Sequence, residues 1–305
     1  MRIVQGLDAF PPDPRPAAIA LGVFDGVHLG HRAILGRAVA DARQEGLDAV
    51  ACTFDRHPLE TLQPARAPVP IATLQDRLRL IGECGLDAVV VLPFTRELAS
   101  VEPEAFVKEI LLDRLRARRV VVGYNHTFGR GARGDARLLE ALADRLGFRA
   151  DVIPPLLVDG VPVSSTEIRA ALGQGDVRRA ARYLGREYTV PGTVVAGAGR
   201  GRQLGFPTAN LATDLPLLLP PGVYACRAAL DGRDHPAVTN VGVRPTFGET
   251  ALAVEVHVLD FAGDLYGKAM RLTFVDRLRE ERKFPGIDAL KAQIAADVAE
   301  VRRRL

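Results

Sequence analysis

The chain has 305 residues, 48% hydrophobic and 25% charged, with a mean hydropathy of +0.07; this excludes a disordered or fibrous chain and, at roughly 150 residues per domain, predicts two domains. The 40 basic and 37 acidic residues leave a net charge of +3, divided as 24 against 23 over residues 1–184 and 16 against 14 over residues 185–305. The second surplus sits in Arg302, Arg303 and Arg304, so no basic stripe remains to follow a phosphate backbone, which argues against a nucleic-acid polymer as partner.

The first half alternates as a parallel sheet requires. Short apolar runs predict strands at residues 18–22, 49–54, 88–92, 119–123 and 149–153, with helical patterns at 31–45, 74–84, 104–115 and 135–146. Five buried strands with intervening helices make a doubly wound, Rossmann-like α/β sheet, whose ligands bind beyond the carboxyl ends of the strands. Residues 165–171 and 176–184 read as two short helices separated by Gly173 and Gly175. Closely spaced strands follow at 188–195, 222–230, 236–241, 253–259 and 268–275, broken by Gly and Pro, which predicts a small antiparallel β-barrel. A C-terminal helix over 287–301 carries the apolar stripe Leu290, Ile294, Val298 and Val301 and is expected to pack on the outside. The boundary falls near residues 184–187, giving domains of 1–184 and 185–305.

Cys52, Cys84 and Cys226 have no metal-ligand spacing and leave an odd number for pairing; Cys52 and Cys84 sit in apolar contexts, as buried free thiols do. Met1 to Val4 lacks the apolar run of a signal peptide, and no uncharged stretch approaches about 18 apolar residues, so a cytoplasmic chain without membrane contact is expected. Nearly all the base is arginine, the lysines being Lys108, Lys268, Lys283 and Lys291. Arginine suits planar contact with phosphate and carboxylate, but genomic base composition produces the same bias.

The loop after the first strand reads Gly22-Val23-Phe24-Asp25-Gly26-Val27-His28-Leu29-Gly30-His31, and a helix follows. Gly26 and Gly30 permit a tight turn and close approach to a ligand. His28 and His31 can face the same way at a helix N-terminus, whose free N–H groups and dipole favour phosphate. There an imidazole pair would donate hydrogen bonds to oxygens gaining charge in phosphoryl or nucleotidyl transfer. A bare His-x-x-His is as often a solvent loop or a metal pair; the strand before it and the glycines around it favour a nucleotide.

His57 follows strand two in Thr53-Phe54-Asp55-Arg56-His57-Pro58, and His126 follows strand four in Gly123-Tyr124-Asn125-His126-Thr127-Phe128-Gly129. Singly these are commonly surface or capping residues; together on one sheet edge they mark a site. The run from Gly129 to Asp135 is glycine-rich and basic, suited to a mobile loop near phosphate. Ser164, Ser165 and Thr166 offer three hydroxyls at a helix start, either as ordinary capping with Glu167 or towards a ligand. Arg169 on the first turn could reach a triphosphate.

These segments resemble the adenylyltransferase module of bacterial bifunctional riboflavin kinase/FAD synthetases, members of the HxGH nucleotidyltransferase superfamily, and the resemblance covers essentially the whole chain. It departs at Arg56, where the family's Thr-Phe-x-Pro-His-Pro motif has proline, and at His126, where phenylalanine is usual. It implies FMN adenylyltransferase activity with nucleotide and flavin contacts from Gly22, Phe24, Asp25, Gly30, His57, Asn125, Ser164, Ser165 and Thr166, and with His28, His31 and Arg169 as catalytic residues. The FMN phosphate is already an anionic nucleophile. The reaction therefore needs alignment and neutralisation of charge on the α-phosphate and departing pyrophosphate rather than a strong base, a task for these side chains and Mg²⁺.

The second domain carries Gly197-Ala198-Gly199-Arg200-Gly201-Arg202-Gln203-Leu204-Gly205-Phe206-Pro207-Thr208-Ala209-Asn210. A glycine-rich arm can wrap a phosphate chain, although β-turns give the same composition. Its Pro-Thr-Ala-Asn ending resembles the riboflavin kinase barrel. That likeness implies nucleotide contacts from Gly201, Arg202, Gly205 and Pro207 and assigns Thr208 and Asn210, both hard oxygen donors, to Mg²⁺ and ATP phosphates. The neutral ribityl 5′-hydroxyl needs a carboxylate to accept its proton, and the family counterpart is Glu255, in Val254-Glu255-Val256-His257-Val258. By itself, a charge in an alternating strand normally faces water. Asn240 and Arg279 lie in segments that resemble those lining or closing over the flavin and nucleotide pocket; Asp260 and His257 read as structural.

The implied activity has two steps: riboflavin and ATP give FMN and ADP, then FMN and ATP give FAD and pyrophosphate. Homo-oligomerisation is left open. One alternative is a nucleotidyltransferase for another phosphate ester fused to an unrelated barrel, opposed by the Pro207 to Asn210 motif and Glu255. Another is a flavin-binding regulator without catalysis, opposed by His28, His31, Arg169, Thr208, Asn210 and Glu255 together.

Overall fold

The computed structural model describes residues 1–197, 201, 204–246 and 249–305, with the backbone alone over 243–246 and 249–252. It divides into two compact units, Met1–Ser165 and Thr166–Leu305.

The first unit is built on six parallel strands, β1 (Arg2–Gln5), β2 (Ala17–Leu21), β3 (Asp48–Phe54), β4 (Ala88–Leu92), β5 (Ala117–Gly123) and β6 (Arg149–Ile153), in the order β1-β4-β3-β2-β5-β6. Helices α1 (Leu29–Glu45), α2 (Pro58–Leu62), α3 (Leu74–Gly82), α4 (Arg96–Ser100), α5 (Pro103–Ala105) and α6 (Ala136–Leu146) connect them. A π-helical stretch, Phe106–Arg114, continues α5, and the Leu115 N–H reaches back five residues to the Ile110 carbonyl.

Strands β2 and β4 are buried at every position, as uninterrupted apolar runs in a two-faced sheet should be. Alternate residues feed two cores. Ile19, Leu21 and Val90 join Phe106, Leu111 and Leu139 on one face, while Ala18, Ala20 and Val89 join Leu35, Leu78 and Ile81 on the other. Burial of each large side chain stabilises by about 1.5–3 kcal/mol. Strand β1 was not foreseen: at four residues, with Ile3 exposed at the sheet edge, it presents no buried run.

Ion pairs fasten α1 to the sheet. Arg119, nearly buried on β5, meets Glu45 and Asp151, and Arg37 meets Asp41 and Asp151. The hydrogen bond to Glu45 holds the Arg119 guanidinium pKa above its ordinary value. After β6 a two-residue hairpin, β7 (Leu157–Val158) and β8 (Val161–Pro162), turns on Asp159 and Gly160 at φ 53° and 77°, the pair of positive dihedrals that a type I′ turn requires.

Helix α7 (Ser165–Gly173) begins on the last residue of the first unit, and α8 (Val177–Leu184) follows, capped by the Asp176 carboxylate. Six antiparallel strands then close a barrel: β9 (Tyr188–Val195), β10 (Ala209–Ala212), β11 (Gly222–Leu230), β12 (Arg233–Thr246), β13 (Glu249–Val258) and β14 (Ala269–Arg279), in the order β10-β13-β12-β11-β14-β9. Strand β10, four residues long, was also unforeseen.

Helix α9 (Ile287–Arg304) lays Val298 and Val301 over Val223, Ala225 and Val238 on the outer wall. The alternate residue Tyr224 therefore points inward, where its ring and that of Tyr188 pack on Phe274 at 5.4 and 6.0 Å. Burial pushes the Tyr224 phenol up to about 12, and its hydroxyl donates to the Pro220 carbonyl. Cys52 and Cys226 are buried and Cys84 is half-buried; burial raises the Cys52 thiol to about 12. The C-terminal arginines are ion-paired, Arg302 with Asp260 and both Arg303 and Arg304 with Glu300.

Candidate functional site

In the first unit the strand order reverses between β2 and β5. Such a switch point opens a crevice beyond the strand ends, where ligands of doubly wound sheets bind. The loop leaving β2 enters it under strain. Phe24 and Val27 are fully buried at φ 54° and 40°, and Gly26 takes φ 78°; non-glycine residues hold such angles only where their surroundings over-determine them.

His28 caps α1, its Nδ1 accepting the His31 N–H at 3.2 Å. An accepting Nδ1 carries no proton, so the neutral ring has its N–H at Nε2. The two imidazoles stack at 3.6 Å, and Phe24 meets His31 edge-on at 5.4 Å. The Asp25 carboxylate accepts the N–H groups of Ile71 and Ala72, and the Asp25 carbonyl accepts the Ser165 hydroxyl at 3.1 Å. A Cβ at Gly30 would lie 3.2 Å from the His28 ring and 3.6 Å from the Val163 carbonyl, which leaves no room there for a larger residue. Ser165 is thus brought beside the histidine loop, and Ser164 adjoins it in sequence. Gly22 lies under Phe24, whose ring would meet an added Cβ at 3.0 Å.

His57 caps α2 in the same manner, with Nδ1 accepting the Leu59 N–H while Glu60 accepts the His57 N–H. Asn125 is exposed just beyond β5, at the same carboxyl edge. The basic loop that follows is folded back on itself: Phe128 and Gly134 exchange backbone hydrogen bonds, and Arg130 and Arg133 both meet Glu102. His126 stacks on Phe128, and desolvation pulls its pKa down to about 4, so the ring is neutral. Arg56 turns to its neighbour Asp55. Thr166 and Arg169 lie on α7, one and four residues beyond Ser165.

In the second unit the barrel's registers gather the sequence candidates into one row. Asn210 pairs with Glu255, Glu255 with Asn240, Asn240 with Val223, and Val223 with Arg279. Partners directly opposite in neighbouring strands share a face. Four members of this row, Val223, Asn240, Glu255 and Arg279, line a cavity of about 380 Å³ on the barrel's outer wall, together with Gly201, Phe206, Thr208, His257, Glu281, Phe284, Leu290 and Ile294. The helical stripe is thus divided: Val298 and Val301 pack on the barrel, while Leu290 and Ile294 wall the cavity.

Arg279 is held by the buried Asp297 carboxylate through two nitrogens, and Arg279 and Arg282 lie 5.7 and 5.0 Å from the Phe284 ring centre. His257, expected to be structural, faces the cavity; its Nδ1 lies 2.8 Å from the Pro207 carbonyl, so it is the donor. A Cβ on Gly197 would collide with the Asn210 amide, and one on Gly201 with the Phe206 carbonyl and Thr208. These two glycines let the arm press against the Thr208 and Asn210 side chains. Gly205 turns at φ 90°. Arg202 lies outside the described residues.

Sequence reasoning missed Asp297 and the buried Arg77 of α3, which donates to the Val23, Phe54 and Asp55 carbonyls. One signal was available for Arg77 and Asp297: each interrupts an apolar helical stripe, Leu74-Arg77-Leu78-Ile81 and Ile294-Asp297-Val298-Val301.

The family model for FAD synthetase matches residues 10–167, and that for riboflavin kinase matches residues 184–305. The bifunctional riboflavin kinase/FMN adenylyltransferase of Pseudomonas fluorescens is 39% identical over 99% of this chain and 97% of its own. The enzyme of the same description from Escherichia coli K12 is 35% identical over 97% of this chain and 96% of its own. A crystal structure described as a macrolide-efflux protein from Streptococcus pneumoniae superposes with a TM-score of 0.91 at 29% identity, covering 99% of each chain. Among the described residues of the present chain, no helix is long and apolar enough to cross a membrane. The chain belongs to the bifunctional riboflavin kinase/FMN adenylyltransferase family.

Proposed function

We propose that the chain phosphorylates riboflavin with ATP to give FMN and ADP, then joins FMN to the adenylyl group of a second ATP to give FAD and pyrophosphate. What supports the reading most directly is Glu255, which lines the cavity beside Asn240 and pairs in register with Asn210.

In the kinase step the 5′-hydroxyl oxygen attacks the γ-phosphorus, its proton passes to the Glu255 carboxylate, and ADP leaves. A neutral alcohol needs such a base, and an otherwise water-facing strand carboxylate acquires that use once a cavity covers it. Phe206, Phe284, Leu290 and Ile294 offer the flavin apolar walls. Thr208 and Asn210 would hold Mg²⁺; both offer the hard oxygen that this cation prefers, and the glycine backbone at Gly197 and Gly201 packs directly against their side chains. When bound, the cation would offset the phosphates' negative charge. Gly201, Arg202, Gly205 and Pro207 belong to the same nucleotide-binding arm.

In the adenylylation step an FMN phosphate oxygen attacks the α-phosphorus of ATP, and the bond to the bridging oxygen of pyrophosphate breaks. No proton need be removed. His28 contributes an Nε2–H donor fixed by its capping bond, and His31, Ser164, Ser165 and Arg169 complete the charge-stabilising set. Gly22, Phe24, Asp25 and Gly30 shape the loop that presents them, and His57, Asn125 and Thr166 provide further polar contacts. We place the division between the two activities at residues 184 and 185, in a chain acting on riboflavin, FMN and ATP. Incubation with riboflavin, ATP and Mg²⁺, followed by chromatographic separation of the flavins, tests the reading: FMN appears first and FAD after it. A protein that leaves riboflavin unchanged refutes it.

A further inference from the structure

Arg77 sits on α3 with about 5% of its surface exposed. Its Nη1 donates to the Val23 carbonyl at 3.0 Å, and its Nη2 donates to the carbonyls of Phe54 and Asp55. No carboxylate lies within ion-pair distance of it among the described residues. A buried guanidinium bound directly only to carbonyls loses its hydration, and the carboxylates of Asp25, Asp55 and Glu60 offset this from beyond ion-pair distance. What Arg77 supplies in return is a donor to three carbonyls that an apolar side chain would leave without one.

The three carbonyls explain its place. Val23 lies just beyond the carboxyl end of β2 and opens the loop that carries Phe24, Asp25 and His28. Phe54 ends β3, and Asp55 begins the loop that carries His57. The contact is reciprocal: Asp25 in the first loop accepts the Ile71 and Ala72 N–H groups that lead into α3, while Arg77 of α3 donates to Val23 in the same loop. Between these two attachments lies Phe24 at φ 54°, a strained residue that needs fixed neighbours on both sides.

We propose that Arg77 is a positioning residue for adenylyl transfer, clamping the loops of His28 and His57 into one arrangement from beneath. The inference rests on the adenylyltransferase reading of the first unit. Arg77 touches neither substrate nor reacting atoms; it acts through the two loops.

The test uses full-length Arg77→Met and Arg77→Lys, with both flavin reactions measured on each protein and hydrogen exchange followed by mass spectrometry. The kinase reaction, carried by the other unit, is the internal control. In Arg77→Met the kcat for making FAD from supplied FMN is expected to fall about 10²-fold, the effect of a small misplacement of reacting groups. Kinase kcat should be unchanged, and exchange should quicken over residues 22–31 and 54–60 while residues 88–92 and 117–123 keep their protection. Arg77→Lys, which keeps a cation able to reach fewer carbonyls, should fall by only about tenfold.

Wild-type adenylylation kcat in a folded Arg77→Met protein overturns the proposal, as does loss of protection across the whole sheet in both variants, which is the mark of a merely structural residue. Should Arg77→Met not fold, Arg77→Lys decides by the same pair of readouts. Wild-type protein that makes no FAD from FMN refutes the adenylyltransferase reading instead, and the exchange pattern still reports on the clamp.

Discussion

The Nδ1 atom of His28 accepts the backbone N–H of His31 at 3.2 Å while the two imidazoles stack 3.6 Å apart. One side chain thus terminates α1, fixes its own tautomer and supports its neighbour. The two roles separate by substitution. In His28→Asn the amide oxygen keeps the cap acceptor but offers no donor where Nε2–H stood. Its thermal stability should stay near wild type, while the kcat for FAD formation falls by about 10²–10³. His28→Ala should lose the same activity and in addition about 1 kcal/mol of stability from the missing cap. Equal destabilisation of the two variants, read in urea, would mean that the cap is not made by the ring.

His126 provides a pH signature. Burial holds its pKa at about 4 against an ordinary 6.5, so between these values the unfolded chain binds a proton that the folded chain refuses. Stability should therefore rise with pH across this window and be complete above pH 6.5; the full effect is on the order of a few kcal/mol. His126→Phe keeps an aromatic ring without the titration, and its urea midpoint should change less between pH 4.5 and 7 than that of wild type. The buttressed carboxylates of Asp55 and Asp87, whose pKa values are lowered, act below this window. An unaltered slope in the variant would show that the imidazole is not the group refused a proton.

The Arg279–Asp297 pair joins β14 to α9 beside the cavity, with side chains 19% and 6% exposed. Removing one partner of such a pair leaves the other desolvated, at a loss of about 3 kcal/mol. Asp297→Ala should lower stability by that order and raise the KM for riboflavin, leaving adenylylation of FMN untouched. Denaturant titration and separate assays of the two steps check both parts.

Gly197 lies so close to Asn210 that any Cβ displaces the amide. Gly197→Ala should shift the Mg²⁺ concentration needed for half-maximal kinase activity upwards without altering that of adenylylation. A magnesium titration of each step reads the difference, and parallel shifts in both would contradict it.

Much of this was legible in the sequence because buried parallel strands are written as unbroken apolar runs. Strands β1 and β10 were not legible: each has four residues and takes its place only when a longer partner supplies the ladder. The register row was also hidden, since no local pattern says that residues 210, 240, 255 and 279 fall side by side. Charged residues on apolar stripes were the overlooked clue: Arg77 binds three loop carbonyls and Asp297 pairs with Arg279. The arginine excess is now partly accounted for: Arg77 and Arg114 each donate to three backbone carbonyls, while Arg37 and Arg119 build the α1 network. These uses exploit the guanidinium's several fixed donors, which lysine lacks.

Two independent sites in one chain are the centre of the account, and a mixing experiment tests them. Glu255→Gln should make no FMN from riboflavin yet convert supplied FMN to FAD at the wild-type rate. A His28→Asn, His31→Asn double variant should accumulate FMN. The two proteins together, given riboflavin, ATP and Mg²⁺, should restore FAD, because FMN made by one is substrate for the other. Loss of both reactions in folded Glu255→Gln, with no FAD from the mixture, would contradict the assignment of two separate sites.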